Sequence, residues 1–374
     1  MKFYRILDWW LNRKRRQQPR SGKAKGVLLI SSGGLGDTVL FAHVIERFLG
    51  CAEKDEPVTV LLRSDAMKMA FLLPQGVQVI GVDFYRLRKD LGYRREITDS
   101  FFSAHYRLVV HTDYLRHPDL DEALVAAAMA AEAVAMKPRP WRKYDARLNQ
   151  NRRLYGRLYD SGAPNMDKVL RWSRFADWLL DMERTPPIAA LDPAQLPPAA
   201  QEGPEVVIQP FSAVKAKQSP PALYRRIIDA LPEGTRVAIT GTQRDLEDNP
   251  EFKSLLDLAG VEFDASSFAE LVPILLSAKL VISVDTALMH LAVAVGAPTL
   301  CLASAAYVGE IVPYDPAITP ENAHFLYTSM SCEGCLGDCI HPFQNGMFPC
   351  VAKLDKNQAV KKAREIMSMT GGHV

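Results

Sequence analysis

At 374 residues the chain is long enough for two domains of ordinary size, each with its own core. Hydrophobic residues at 48% and charged residues at 24% fit a water-soluble globular protein, and a formal charge of +2 is too small to argue for a nucleic-acid partner. No apolar run reaches the roughly 18 to 20 residues that span a bilayer.

Charge is distributed unevenly even so. The start, MKFYRILDWWLNRKRR, places Phe3, Tyr4, Ile6, Leu7, Trp9, Trp10 and Leu11 just before a basic run. Arg5 and Asp8 interrupt it and no small-residue cleavage site follows, so it does not read as a signal peptide. Aromatics beside Lys and Arg suit an interfacial helix on an anionic membrane surface, and equally a segment docked on its own protein. Residues 12–25 hold seven Lys or Arg and no acid, and residues 137–157 hold eight against Asp145 alone. The expected location is cytoplasmic, with peripheral contact to the inner face of a bacterial inner membrane.

Beyond this basic and aromatic arm (1–25), strand-like and helix-like segments alternate. GVLLIS precedes a helical pattern over 38–49, and VTVLL (58–62) precedes helical DAMKMAFLL. VQVIGV (77–82) and LVVHT (108–112) read as buried strands, and DEALVAAAMAAEAV (121–134) as one helix. The stretch 185–204 carries six prolines and no periodicity, which predicts a linker. A second alternating set follows: EVVIQP, PALYRRIIDAL, RVAITG, FAELVPILLSA, LVISVD, ALMHLAVAVG and TLCLA, closed by the amphipathic tail NQAVKKAREIMSM. The fold class is therefore α/β, with Rossmann-like domains over 26–184 and 205–374 joined by the proline-rich segment.

Three stretches carry candidate chemistry. In SSGGLGDTV, Gly34 and Gly36 fit a dinucleotide fingerprint, but Val39 stands at the third glycine position, so the match is weak. Glycines there open a floor beside a helix N-terminus, where Asp37 either caps the helix or accepts a proton from a substrate hydroxyl. In IQPFSAVKAKQSP, a strand end, a polar loop with Lys215 and Lys217 and a Pro-led helix suit a diphosphate. In ISVDTALMHLA, Asp285 closes a strand, Thr286 is placed to cap the next helix, and His290 lies one turn in, as a site residue or as a core histidine.

In this order the three stretches resemble the ADP-heptose:lipopolysaccharide heptosyltransferases, glycosyltransferase family nine, over nearly the whole chain after residue 25. The resemblance implies a GT-B architecture, with parallel sheets of two Rossmann-like domains facing a central cleft, acceptor on the first domain and nucleotide-sugar on the second. It implies Asp37 as general base beside the Gly34 and Gly36 loop. Lys217 and the backbone at Thr286 and Ala287 would hold the diphosphate, Ser212 the phosphates, Asp285 the sugar and Asp245 the ribose, with His290 supporting the loop. Ala287 replaces the family's usual glycine, LASAAYVGEIVP replaces its usual FGPTDP-like stretch, and Ser219 replaces an aromatic, which leaves the donor sugar open.

Four of six cysteines, Cys332, Cys335, Cys339 and Cys350, follow a C-x2-C-x3-C-x10-C spacing. That spacing suits a structural zinc or iron held by thiolates; a catalytic metal is not expected. The leading function is an inverting transfer of a sugar, heptose from an ADP-linked donor, to an acidic lipopolysaccharide-type glycolipid at the membrane surface. The alternatives are a protein acceptor of autotransporter type and a non-catalytic nucleotide-sugar-binding homologue. Val39 argues against an oxidoreductase or epimerase.

Overall fold

The computed structural model describes residues 3–370; the expected arm and the expected second domain extend to residues 1, 2 and 371–374, outside the described residues. The chain divides into two compact units. The first comprises residues 1–164 and 171–185, the second residues 165–170 and 186–374.

The first unit holds a six-stranded sheet of β1 (Val27–Ile30), β2 (Val58–Arg63), β3 (Gln78–Val82), β4 (Leu108–His111), β5 (Glu132–Met136) and β6 (Arg157–Tyr159), in the order β3-β2-β1-β4-β5-β6. The second holds β7 (Val206–Gln209), β8 (Val237–Thr240), β9 (Val261–Asp264), β10 (Leu280–Val284), β11 (Thr299–Leu302) and β12 (Ala323–Leu326), in the order β12-β11-β10-β7-β8-β9. Every pairing is parallel. Both orders are the doubly wound pattern, in which strand order reverses beside the first strand. The central strands VLLI and LVISV are buried at every residue, because helices cover both faces of a parallel sheet and an alternating pattern has no solvent side to serve. The two reversal points, β1/β4 and β7/β10, are where the loops at the strand carboxyl ends diverge and leave room for a ligand.

Some expected elements are cut differently. The helical reading of 121–134 covers a helix, Asp121–Ala128, and then β5; Met129 stops the helix in the left-handed conformation at φ 43°. The helix expected over 38–49 starts earlier and divides into Leu35–Ala42 and Ile45–Leu49, and Ala66–Leu72 is a 3-10 helix. The proline-rich stretch is laid onto the second unit rather than running free. Ala189, Leu191 and Ala200 donate backbone N–H bonds of 2.8, 2.7 and 2.9 Å to the carbonyls of Ile318, Ala294 and Pro273, so its extended backbone finds partners without a sheet.

The N-terminal helix, Phe3–Arg15, is docked on the first unit by Tyr4, Leu11 and Arg15. Arg5 pairs with Asp119 at 2.6 Å, Asp8 with the fully buried Arg94 at 2.5 Å, and Arg15 with Asp99 at 2.7 Å. Its other side leaves Phe3, Ile6, Trp9 and Trp10 exposed. Arg13 and Lys14 lie 5.8 and 5.7 Å from the Trp9 and Trp10 ring centres.

Candidate active site

At the β1/β4 reversal the chain leaves β1 through Ser31–Gly34 and enters the Leu35–Ala42 helix. Asp37 stands in the first turn, half-buried, and its Oδ2 accepts the Gly34 N–H at 2.8 Å. The carboxylate therefore satisfies an otherwise unpaired helix-start donor, as the capping reading expects. It stays partly open to solvent, which leaves its second role open to a substrate. The glycine that this geometry requires is Gly33, which the sequence reading did not single out. A Cβ on Gly33 would sit 2.4 Å from the Asp37 Cβ, whereas a Cβ on Gly34 would meet nothing nearer than 3.9 Å. Neither residue has a positive φ, so close approach of the Asp37 side chain explains Gly33.

Asp113, just past β4, holds this turn from below: the Ser32 N–H and Oγ donate to its Oδ2 at 2.6 and 2.7 Å. His111 and Asp121 complete a buried group beneath the turn. Burial holds the His111 imidazole down to about 3, and pushes the Asp121 carboxyl up to about 6 and the Asp113 carboxyl upward as well.

At the β7/β10 reversal, Lys217 closes a short 3-10 turn after β7, and Asp285 follows β10. The Lys217 Nζ lies 3.0 Å from the Asp285 Oδ2 and donates to the Asp285 carbonyl at 2.6 Å, with both side chains buried. The ammonium also sits 4.6 Å from the Tyr307 ring centre. Burial raises the Asp285 carboxyl above its ordinary value, against the pull of Lys217 and of Ser304, whose Oγ donates at 3.1 Å. Its Oδ1 has no partner among the described residues. Lys217 is thus held in place by its own counter-ion. Lys215 instead reaches outward to Glu251 at 3.5 Å.

Thr286 occupies the N-cap position of the Ala287–Ala294 helix without capping it. Its Oγ1 donates to Gln209 Oε1 at 2.8 Å. Gln209 Oε1 also accepts from Ser283 at 2.9 Å, while its Nε2 donates to the Phe211 carbonyl at 2.7 Å. Gln209 ties the two strand ends together, and the first turn at Ala287 is left without a side-chain cap beside Lys217 and Asp285. Such a helix start favours an anion. Gln209 escaped the sequence reading; its one signal is a polar residue ending an apolar strand.

The remaining predicted residues fall around this centre. Ser212 Oγ accepts the Val214 N–H at 3.2 Å and so shapes the lysine loop. Asp245 follows β8, and its Oδ2 is engaged by the Thr242 N–H and Oγ at 2.8 and 2.6 Å, closing the start of the Gln243–Asp248 helix. His290 is buried on the Ala287–Ala294 helix, with Nδ1 2.6 Å from Tyr314 Oη and the rings stacked at 5.7 Å. Its imidazole is satisfied by this neighbour, on a helix buried at every residue from Leu288 to Ala294.

The four cysteines share one neighbourhood: Cys339 packs against the apolar cluster that holds Cys350, and Cys335 lies close enough to push up both the Cys332 and the Cys350 thiols. The Cys332 and Cys339 side chains hydrogen-bond, and the Cys332 thiol is pushed up by burial and then by Cys339 and Cys335. Cys350 is buried in an apolar cluster with Phe348 and Val351. Among the described residues the one group of three ligating side chains with donor atoms within 4.8 Å of one another is His111, Asp113 and Asp121. Tetrahedral thiolate sites bring sulfurs to about 3.8 Å, and among the described residues no three of these thiols lie within 4.8 Å of one another. Gly334, Leu336 and Gly337, all at positive φ, curl the loop into local turns, and Cys350 belongs to a separate helix, Pro349–Ala352.

Two doubly wound parallel sheets, each with polar groups at its reversal point, are the architecture of GT-B glycosyltransferases, and solved glycosyltransferases are similar in fold. E. coli heptosyltransferase WaaC with ADP-2-deoxy-2-fluoro heptose is 18% identical, with a TM-score of 0.65 over 91% of this chain and 99% of that one. E. coli ADP-heptose lps heptosyltransferase II is 14% identical at 0.67, over 93% and 100%. The iron-containing dodecameric glycosyltransferase TibC of enterotoxigenic E. coli is 15% identical at 0.51, over 94% and 78%. No curated protein matches by sequence. The model of glycosyltransferase family 9 (heptosyltransferase) matches residues 112–328, and the chain belongs to that family. It is a glycosyltransferase of the heptosyltransferase type.

Proposed function

We propose that the chain transfers a sugar, heptose from an ADP-linked donor, to a hydroxyl of an acidic glycolipid, with inversion at the anomeric carbon. One observation carries the donor half: a buried lysine fixed on Asp285 beside a helix start that no side chain caps. An ADP-sugar already has a good leaving group, so the protein's task is to position it and to stabilise charge growing on the diphosphate. Lys217 and the Thr286–Ala287 backbone do this, with Asp285 toward the sugar, Ser212 shaping the lysine loop, Asp245 toward the ribose and His290 supporting the helix through Tyr314. Asp37, presented by the glycine turn of the first unit, accepts the acceptor's proton as the new bond to the anomeric carbon forms and the ADP oxygen departs. The WaaC structures with ADP-2-deoxy-2-fluoro heptose and with ADP support this choice. A thermal-shift panel of ADP-, UDP- and GDP-sugars and NAD tests it. ADP-sugars should raise the unfolding midpoint, and stabilisation by UDP-sugars or NAD alone would overturn the assignment.

For the acceptor side we infer peripheral attachment to an anionic membrane through the N-terminal helix. No helix among the described residues is long and apolar enough to cross a membrane. Trp9 and Trp10 are 63% and 50% exposed, next to a basic run, and large aromatics beside cations partition to the interface. Nearby, Phe3, Arg88, Lys89, His117 and Lys143 line a cavity of about 620 Å³ with the chemistry for a phosphorylated headgroup. Co-sedimentation with phosphatidylglycerol vesicles should be strong, weak with phosphatidylcholine, and reduced about tenfold or more in Trp9→Ala/Trp10→Ala. Equal binding by the variant would refute the attachment.

A further inference from the structure

We infer that His111, Asp113 and Asp121 form a divalent-cation site beneath the glycine turn of the first unit, separate from the cysteine loop and independent of the donor assignment. His111 ends β4, Asp113 follows it by two residues, and Asp121 opens the Asp121–Ala128 helix. All three are buried. His111 Nε2 faces Asp121 Oδ2 at 3.4 Å and Asp113 Oδ2 at 3.8 Å, and has no hydrogen-bond partner. Ligand bonds of about 2.1 Å put neighbouring donor atoms about 3 to 3.8 Å apart, so the spacing suits one small ion.

The hydrogen bonds behind the imidazole say what faces the carboxylates. Glu122 is a carboxylate held by Arg116 at 3.0 Å and Asn151 at 2.8 Å, and it can only accept. The Tyr155 hydroxyl, 3.4 Å away, donates to it, and then accepts from His111 Nδ1 at 2.9 Å. With the hydroxyl turned to Glu122, Nδ1 carries the proton and Nε2 presents its lone pair to the carboxylates. Three acceptors then meet in a buried space, beyond the bonds that Asp113 accepts from Ser32 and Asp121 from the His117 N–H, which is unfavourable unless a cation lies between them. The Arg116 guanidinium bonds Glu122 through Nε and the Asp113 and Met136 carbonyls through Nη1, with Nη2 unpartnered among the described residues, so its charge is shared chiefly with Glu122. Two carboxylates and a neutral imidazole balance one divalent ion, and the Nδ1–Tyr155–Glu122 chain is the outer-shell support that metal-bound histidines have. One nitrogen and two oxygens favour Mn2+, Fe2+, Co2+ or Zn2+ over Ca2+. Ser32 Oγ, 2.7 Å from Asp113 and 3.5 Å from Asp121, is within reach as a further ligand. The ion would lock β4, the Asp121 helix and the turn that presents Asp37 into one piece.

The test uses the full chain with its accessible thiols alkylated, so that cysteine cannot ligate, stripped with chelator and titrated with Co2+. We expect one Co2+ per chain, weak visible d–d bands without thiolate charge transfer, a higher unfolding midpoint, and loss of all three in His111→Ala and in Asp121→Asn. Failure of the alkylated wild type to bind Co2+, or binding unchanged in both variants, would show that only a proton bridges these groups. Should the variants not fold, the histidine resonances of the wild type decide the question. A paramagnetic shift of one buried imidazole supports the site, and its absence on saturation overturns it.

Discussion

Asp37→Asn should keep ADP-sugar affinity and thermal stability while lowering turnover about 10²- to 10⁴-fold, the usual worth of a general base. The variant separates the two roles that the first-turn carboxylate can play. An asparagine oxygen still accepts the Gly34 N–H that Asp37 now binds at 2.8 Å, so the helix start stays satisfied while the basicity is lost. Turnover within a few fold of wild type would make Asp37 a cap and nothing more. Gly33→Ala should mimic the loss from the other direction. Its methyl would collide with the Asp37 Cβ at 2.4 Å and displace the carboxylate, whereas that of Gly34→Ala would make only an ordinary contact at 3.9 Å and should be nearly silent. Both are read by donor binding alongside steady-state transfer.

Lys217→Ala should damage the protein twice. The Asp285 carboxyl is 5% exposed and leans on Lys217 Nζ at 3.0 Å, and stripping one partner from a buried pair costs about 3 to 5 kcal/mol. Burial already holds Asp285 above its ordinary value, and loss of the ammonium raises it further. A carboxyl raised in the folded state contributes stability below its unfolded value of about 4 and loses it as pH rises through the folded value. The deficit of Lys217→Ala should therefore shrink in acid and widen towards neutrality in urea unfolding. Lys217→Met with Asp285→Asn removes both charges and should recover most of the stability without recovering ADP affinity. Recovery of both would reduce the pair to a structural bridge.

Much of this architecture was legible because interior parallel strands are apolar almost throughout, as in VLLI, VVIQ, VAIT and LVISV. The strands that escaped, β6, β9 and β12, are sheet edges of three or four residues with half-exposed side chains, and a half-solvated short run has no pattern to detect. β5 was hidden in an alanine-rich stretch whose composition is the same on both sides of Met129, and the stop is a backbone angle that composition does not carry. Of the candidate site, Asp37, Lys217 and Asp285 were visible as polar residues at strand carboxyl ends. Gln209, Gly33 and the His111 group were not, because each matters through a contact made only when distant segments meet. The cysteine spacing was legible as one neighbourhood of thiols, whereas how closely the sulfurs approach depends on the loop's turns, which spacing does not carry.

The strapping of the N-terminal helix bears on how short a working version of this chain can be. Its residues look like a disposable basic leader, yet Arg94, fully buried, spends its guanidinium on Asp8 at 2.7 and 2.5 Å. Asp119 likewise leans on Arg5. Deleting the first sixteen residues for solubility would strand a cation and weaken the hold on an anion in the interior, and would uncover the apolar seat of Tyr4 and Leu11. The segment is a keystone of its own unit as well as its outermost surface.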